Sequence, residues 1–264
     1  MKVEVLHRLK CLNLSPSRRL GQNFLYSTRA LKFVKTWAKK LADKHADYRI
    51  FSIGPGIAIF EEELAKAGFR VLSIEKDAKF FPLYAQIKSY NPNFHTAIAD
   101  ARFVKFPPFP IFSNLPYYAS KFFIDKICLS NNWKFGILCL QYEVGQRLIN
   151  PSGKRLSPLS AIFTLKANVV DFLVIPKHFF IPKPKVDSIM IVFEEIPDSP
   201  NSEILRKFAD WLGILLQNRR KKIKNSLLFK KEHPIWEIYA DYRAEELSVS
   251  TLFEVFLKTT SLNQ

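Results

Sequence analysis

The chain reads as an α/β protein, a mainly parallel sheet with helices on both faces, followed by a small all-helical domain. Three observations predict this. Apolar strand-like runs alternate with segments of helical period as far as Glu195, and such alternation builds a parallel sheet covered on both sides. Pro197-Asp198-Ser199-Pro200 then breaks the rhythm. Beyond it Ile204, Leu205, Phe208, Leu212, Leu215 and Leu216 form one apolar stripe at helical spacing. The expected domains are therefore residues 1–196 and 197–264.

The elements follow in order. A basic lead-in ends at Ser17-Arg18-Arg19, and Gly21-Gln22-Asn23-Phe24-Leu25 makes a polar-aromatic loop. Ser27 or Thr28 can cap a helix whose apolar residues Ala30, Val34, Trp37, Ala38 and Leu41 share a face. A strand from Tyr48 to Ile53 ends on Gly54-Pro55-Gly56, followed by a helix near Glu61 to Lys66. A strand from Arg70 to Ile74 ends on Glu75, a helix runs from about Ala78 to Ser89, and a third strand ends at Asp100. Pro110 to Ser113 is a strand that leads into Asn114-Leu115-Pro116-Tyr117, and a helix starts near Lys121. Trp133 to Leu140, Ala167 to Val174 and the alternating Ser188 to Glu195 supply further strands, and a last helix starts near Ser248 or Ser250.

Composition narrows the partners. Of 264 residues 48% are hydrophobic, enough to build a core, and the formal charge is +16. A field of that sign gathers polyanions, and the basic residues do not line one face of an amphipathic anchor helix, so nucleic acid ranks ahead of a membrane surface or an acidic protein. The three cysteines, Cys11, Cys128 and Cys139, lie far apart among apolar residues and read as small core hydrophobes. With no signal-like or membrane-spanning apolar run, the expected location is cytoplasmic.

Three strand ends carry chemistry. In open parallel sheets ligands bind beyond the carboxyl ends of the strands. Gly54-Pro55-Gly56 gives a tight turn that a ligand can approach closely, Glu75 suits a ribose hydroxyl pair, and Asp100 can accept from an adenine amine. A dinucleotide site would need a glycine at position 59, where this chain has Ile59, so a nucleoside cofactor without pyrophosphate fits better, and S-adenosylmethionine is such a molecule. The Asn114-Leu115-Pro116-Tyr117 tetrad combines acceptors, a turn fixed by proline and an aromatic face, which suits a flipped-out base bearing an exocyclic amine.

These segments resemble a known family. Gly21-Gln22-Asn23-Phe24-Leu25, Ile53-Gly54-Pro55-Gly56, Ile74-Glu75-Lys76-Asp77, Ala99-Asp100-Ala101, Asn114-Leu115-Pro116-Tyr117 and Phe180-Ile181-Pro182-Lys183-Pro184-Lys185-Val186-Asp187-Ser188 stand in the order found in the rRNA adenine dimethyltransferases. That family comprises KsgA, its archaeal and eukaryotic counterparts and the Erm resistance enzymes. The resemblance implies a Rossmann-like class I S-adenosylmethionine-dependent methyltransferase with a small C-terminal helical domain. It implies that Gln22, Asn23 and Leu25 close over the cofactor, that Gly54 and Gly56 lie against it with Gly54 at its methionine part, that Glu75 holds the ribose and Asp100 the adenine. Asn114 would stand between cofactor and target amine, with the Leu115 carbonyl as second acceptor and Tyr117 and Phe180 sandwiching the target adenine.

The basic run Arg219, Arg220, Lys221, Lys222 and Lys224, with Lys230 and Lys231 after it, reads as a phosphate track in the second domain. Asn218 through Leu227 is more similar to the KsgA branch than to Erm, which implies small-subunit rRNA or its assembling particle as partner and a monomeric enzyme. An Erm-like enzyme acting on large-subunit rRNA and a non-catalytic ribosome-assembly factor stand as alternatives. Asn114, Tyr117, Glu75 and Asp100 together favour catalysis, since a pure binder would have no physical need for all four. The chain departs from the family pattern at Ser52, where an acidic residue is usual, and at Ala58 and Ser157, where glycine is.

Overall fold

In a computed structural model of the protein, residues 1–17, 20–226, 228 and 234–260 are described. The chain opens with helix α1 (Lys2–Cys11), which sequence reading left as a lead-in, then a two-residue strand β1 (Phe24–Leu25) and helix α2 (Thr28–His45). β2 (Arg49–Ile53), α3 (Ile59–Lys66), β3 (Arg70–Glu75), α4 (Phe81–Tyr90) and β4 (Phe94–Ile98) follow in strict alternation. Next come β5 (Ile111–Asn114), α5 (Ser120–Cys128), β6 (Phe135–Gln141), α6 (Tyr142–Ile149), α7 (Pro158–Lys166), β7 (Ala167–Ile175), the short β8 (Phe180–Ile181) and β9 (Ser188–Glu195). α8 (Ser202–Leu216), α9 (Pro234–Tyr239) and α10 (Val249–Thr259) complete the described chain.

Seven strands form one sheet in the order β4-β3-β2-β5-β6-β9-β7. β2 pairs in parallel with β3 on one side and β5 on the other, and β6 pairs antiparallel with β9. The chain winds outward through β3 and β4, then returns to the far side of β2 to lay down β5. That reversal leaves a crevice at the carboxyl ends of β2 and β5, where such sheets bind ligands. β1 and β8 form a separate antiparallel pair, Phe24 opposite Ile181 and Leu25 opposite Phe180.

Local chemistry explains the elements around the crevice. Ser27 caps α2 by accepting the Ala30 amide, and Ala30, Val34, Ala38 and Leu41 fall on the buried face that the sequence spacing predicts. β2 and β5 are almost wholly buried, as a parallel strand covered on both faces must be. α1 carries Val5 and Leu9 on its buried side, and its Arg8 donates to the Ile57 carbonyl at 2.8 Å and pairs with Glu62 at 2.5 Å. Cys128 and Cys139 are buried as expected, whereas Cys11 lies exposed on α1 and is no core residue.

The chain divides into two compact units. One comprises residues 1–123, 130–145 and 169–195 and contains the crevice; the other comprises 124–129, 146–168 and 196–264. A single cut at residue 197 is thus too simple, because two earlier segments also belong to the second unit. The physical reason is visible in α7, a helix between β6 and β7 that packs on α8 and α10. The second unit's core is aromatic, with Phe208 and Trp211 of α8 meeting Trp236 of α9 and Phe256 of α10.

Candidate active site

The crevice is an open cleft walled by the loop before β1, the turns after β2, β3 and β5 and the segment past β4. Register brings its walls together. β2 and β3 end level, with Ile53 opposite Ile74, and β5 runs beside β2 with Phe112 opposite Ser52, so Gly54, Glu75 and Asn114 all arrive at one rim. Gln22, Asn23, Leu25, Gly54, Gly56, Glu75, Asp100, Asn114, Leu115 and Tyr117 all line it.

Gly54 has φ +66°, and a side chain built there would project into open space rather than into protein. Gly56, at φ +55°, is tighter, since a Cβ would come within 2.9 Å of the Phe24 ring. Ala58, which sequence comparison marked as a departure, takes the left-handed conformation at φ 52° just before α3. The strain of a non-glycine residue there is about 1–2 kcal/mol.

Glu75 is 7% exposed and is held from two sides by backbone donors. Its Oε2 accepts the Gly56 amide at 3.0 Å and its Oε1 the Asp77 amide at 2.8 Å. Burial raises its pKa while these amides oppose the rise. Asp100 lies two residues past the end of β4 and not within it. It accepts Arg102 at 2.6 Å and Lys76 at 2.9 Å, and those cations hold its carboxyl well below the usual carboxylate range. Gln22 binds the loop to the rim, donating to Asp77 at 3.0 Å and accepting the Ser17 amide at 2.8 Å.

Asn114 closes the opposite side. Its Nδ2 donates to the Asn23 carbonyl at 3.0 Å, which ties the β5 end to the loop before β1 and fixes which way the amide faces. The side-chain oxygen is thereby left for an outside donor. Leu115 donates its amide to the Cys139 carbonyl at 3.2 Å, fastening the turn to β6. Tyr117 places its hydroxyl 2.6 Å from Ser188 Oγ, and burial pushes its pKa up to about 12, so it stays a neutral phenol.

Phe180 departs from expectation. It does not line the cavity and is 2% exposed, its ring packed in the core while its backbone pairs with Leu25. A ring so enclosed offers no face to a base in this conformation. Tyr117 and the exposed Tyr118 are the aromatic residues at the cavity wall by the tetrad.

Sequence reading missed Glu61, which lines the same cavity with 4% exposure and accepts Ser52 Oγ at 2.7 Å. Burial pushes its pKa up to about 7. The signal was present in the unusual Ser52, but three consecutive glutamates at a helix start read as an ordinary solvated first turn.

The motif set, the strand order and the paired acceptors around one cleft converge on a single reading, and comparison decides it. The sequence profile described as ribosomal RNA adenine dimethylase matches residues 14–259. The chain belongs to that family. Its class is S-adenosylmethionine-dependent methyltransferases. A probable ribosomal RNA small subunit methyltransferase A from Thermococcus sibiricus is 33% identical to it over 99% of each chain. Two solved family folds superpose well. A dimethyladenosine transferase from Plasmodium falciparum gives a TM-score of 0.73 at 20% identity, covering 90% of this chain and 96% of that one. The 23S rRNA methyltransferase ErmE gives 0.69 at 18%, covering 89% and 99%. At such identities the superpositions speak for the fold alone.

The cavity fits the family's cofactor on its own features. The open cradle at Gly54, a buried carboxylate at Glu75 and a charge-held carboxylate at Asp100 lie along one wall, matching in kind a methionine tail, a ribose diol and an adenine amine.

In the second unit the predicted basic run is only partly free. Lys222 and Lys224 both pair with Asp241, at 2.9 and 2.8 Å, and Arg219 donates to the Lys154 carbonyl at 3.3 Å. Arg220 and Lys221 are exposed and pair with no acidic side chain among the described residues. Lys230 and Lys231 lie outside the described residues.

Proposed function

We propose that this protein transfers methyl groups from S-adenosylmethionine to the exocyclic amine of adenosine in small-subunit ribosomal RNA, dimethylating it. The observation that carries the reading is the Asn114 amide, its NH₂ held by the Asn23 carbonyl, in the wall of the cavity that Glu75 and Asp100 also line. Glu75 would hold the ribose, Asp100 the adenine and Gly54 the methionine part, with Gln22, Asn23, Leu25 and Gly56 completing the wall. When bound, the cofactor supplies an activated sulfonium methyl.

The protein's task is then positional. An adenine amine is a poor nucleophile because its lone pair is delocalised into the ring. The Asn114 side-chain oxygen and the Leu115 carbonyl would accept the two amine hydrogens, drawing the nitrogen toward a tetrahedral shape and turning its lone pair along the line of displacement. The Asn23 carbonyl prevents Asn114 from rotating its NH₂ into that place. Tyr117 would stack on the extruded base, its ring angle set by Ser188. No strong base is needed, since the proton leaves after the nitrogen has become cationic.

Small-subunit RNA is favoured by what the Thermococcus relative is named for and by the KsgA-like segment around Arg219. Arg220 and Lys221 would contact phosphates in a substrate read as an assembling small subunit, with the enzyme monomeric and cytoplasmic. Among the described residues no helix is long and apolar enough to cross a membrane. The test is methyl transfer from labelled S-adenosylmethionine to unmethylated small subunits, large subunits and free rRNA in parallel, with mapping of the modified base. Dimethyladenine confined to small-subunit rRNA is expected. Label on large-subunit RNA would transfer the reading to the Erm branch, and tight RNA binding without transfer would leave a binding factor.

A further inference from the structure

Among the described residues three carboxylates line the cavity, and Glu61 is the one with neither a salt bridge nor a bond from another residue's backbone amide. Asp100 is neutralised by Arg102 and Lys76, and Glu75 is wrapped by backbone amides. Glu61, 4% exposed, accepts the neutral hydroxyl of Ser52 and bonds no other side chain among the described residues. Arg8, whose charge favours the ionised form of Glu61, makes its own bonds to the Ile57 carbonyl, Glu4 and Glu62. A buried carboxylate facing a cavity is costly unless a positive ligand group meets it.

Its place in the wall selects that group. Ser52 stands on β2 two residues before Gly54, and Glu61 stands in the first turn of α3, so the pair flanks the open cradle at Gly54. Resting on the proposed cofactor reading, the ribose goes to Glu75 and the adenine to Asp100, and the methionine tail remains for the Gly54 end. We infer that Glu61 is the counter-ion for the α-ammonium of the cofactor, with Ser52 positioning it across the hydrogen bond. The carboxylate has in effect moved from the strand to the helix, since Ser52 stands where the family pattern has an acid. Ionised Glu61 would also make cofactor affinity depend on pH near neutrality. The titratable groups facing it are Glu75 of β3, Tyr84 of α4 and Arg8 of α1.

The test measures binding rather than turnover. S-adenosylhomocysteine carries the ammonium, and 5′-methylthioadenosine carries the same adenosine without the amino-acid tail, so effects through Glu75, Tyr84 or the fold appear with both. In Glu61→Gln, calorimetry should show S-adenosylhomocysteine weakened about tenfold or more with 5′-methylthioadenosine unchanged. Wild type should bind S-adenosylhomocysteine about tenfold more weakly at pH 6 than at pH 8, and Glu61→Gln should be flat. The double variant S52D/E61S, which returns the acid to the strand, should recover most of the loss. Equal weakening of both ligands, or of neither, overturns the assignment, as does failure of the double variant to recover affinity while it still binds 5′-methylthioadenosine. Failure of wild type to bind either ligand would instead overturn the cofactor reading on which the assignment rests.

Discussion

Tyr117 and Ser188, on segments far apart in the chain, meet hydroxyl to hydroxyl at 2.6 Å. The bond joins the tetrad after β5 to the start of β9, and so to the last residue of the Phe180–Ser188 motif. Ser188→Ala should leave the Tyr117 ring without its anchor, lowering turnover about tenfold, the rate equivalent of one lost hydrogen bond. S-adenosylhomocysteine affinity should stay unchanged. Steady-state kinetics of Ser188→Ala, Tyr117→Phe and the double variant check this, the double being no worse than either single.

Asn114→Ala removes the acceptor that would orient the target amine and also the bond to the Asn23 carbonyl. Turnover should fall by about two to three orders of magnitude, as when a positioned polar group at a reacting centre is deleted. Equilibrium binding of rRNA should be nearly unaffected. Retained turnover would remove Asn114 from the reaction.

How legible this was in the sequence depended on the kind of information each residue carries. Gly54, Glu75 and Asn114 could be placed because each ends a strand, and strand ends in a parallel sheet share a rim by construction. α2 was readable from the spacing of Val34, Ala38 and Leu41. Arg8, Glu61 and the salt bridges of Asp100 were not, because their partners are set by tertiary approach: Arg8 reaches Ile57, and Ser52 finds Glu61 only once β2 and α3 have packed. Phe180 shows the converse, a motif residue that the fold pairs with Leu25 but encloses in the core. The assignment of α7 to the second unit escaped for a similar reason, since a helix between two strands gives no sequence sign of which core it will join.

Glu61 also predicts how stability without ligand depends on pH. Its carboxyl titrates near 4.5 when unfolded and at about 7 when folded, so between those values the folded state binds more protons and stability falls as pH rises. The loss by pH 7.5 should be roughly 3 kcal/mol. Carboxylates with lowered values, such as Glu194 with Lys44 and His45, act in the opposite sense, so the wild type must be compared with Glu61→Gln. Thermal melts from pH 5 to 7.5 should show the variant gaining on the wild type as pH rises. Parallel curves would exclude an ionisable, buried Glu61.

The basic run should divide into two classes. Charge reversal at Arg220 and Lys221 should weaken rRNA binding and reduce the salt dependence by up to about two charges, with S-adenosylhomocysteine affinity unchanged. Lys222 and Lys224 are engaged by Asp241, whose pKa they pull down to about 2, so Asp241→Ala should free two positive charges and tighten RNA binding at low salt. Filter binding across a salt series distinguishes the two.

The β1–β8 pair is only two residues on each side, yet it joins Leu25 of the cavity wall to Phe180 at the head of the other motif. Phe24 and Leu25 are both buried, so slipping the pair by one residue would displace two packed side chains together. An insertion or deletion within either strand would therefore damage both motifs at once. Two stretches that look independent in an alignment form, for evolution, a single heritable unit.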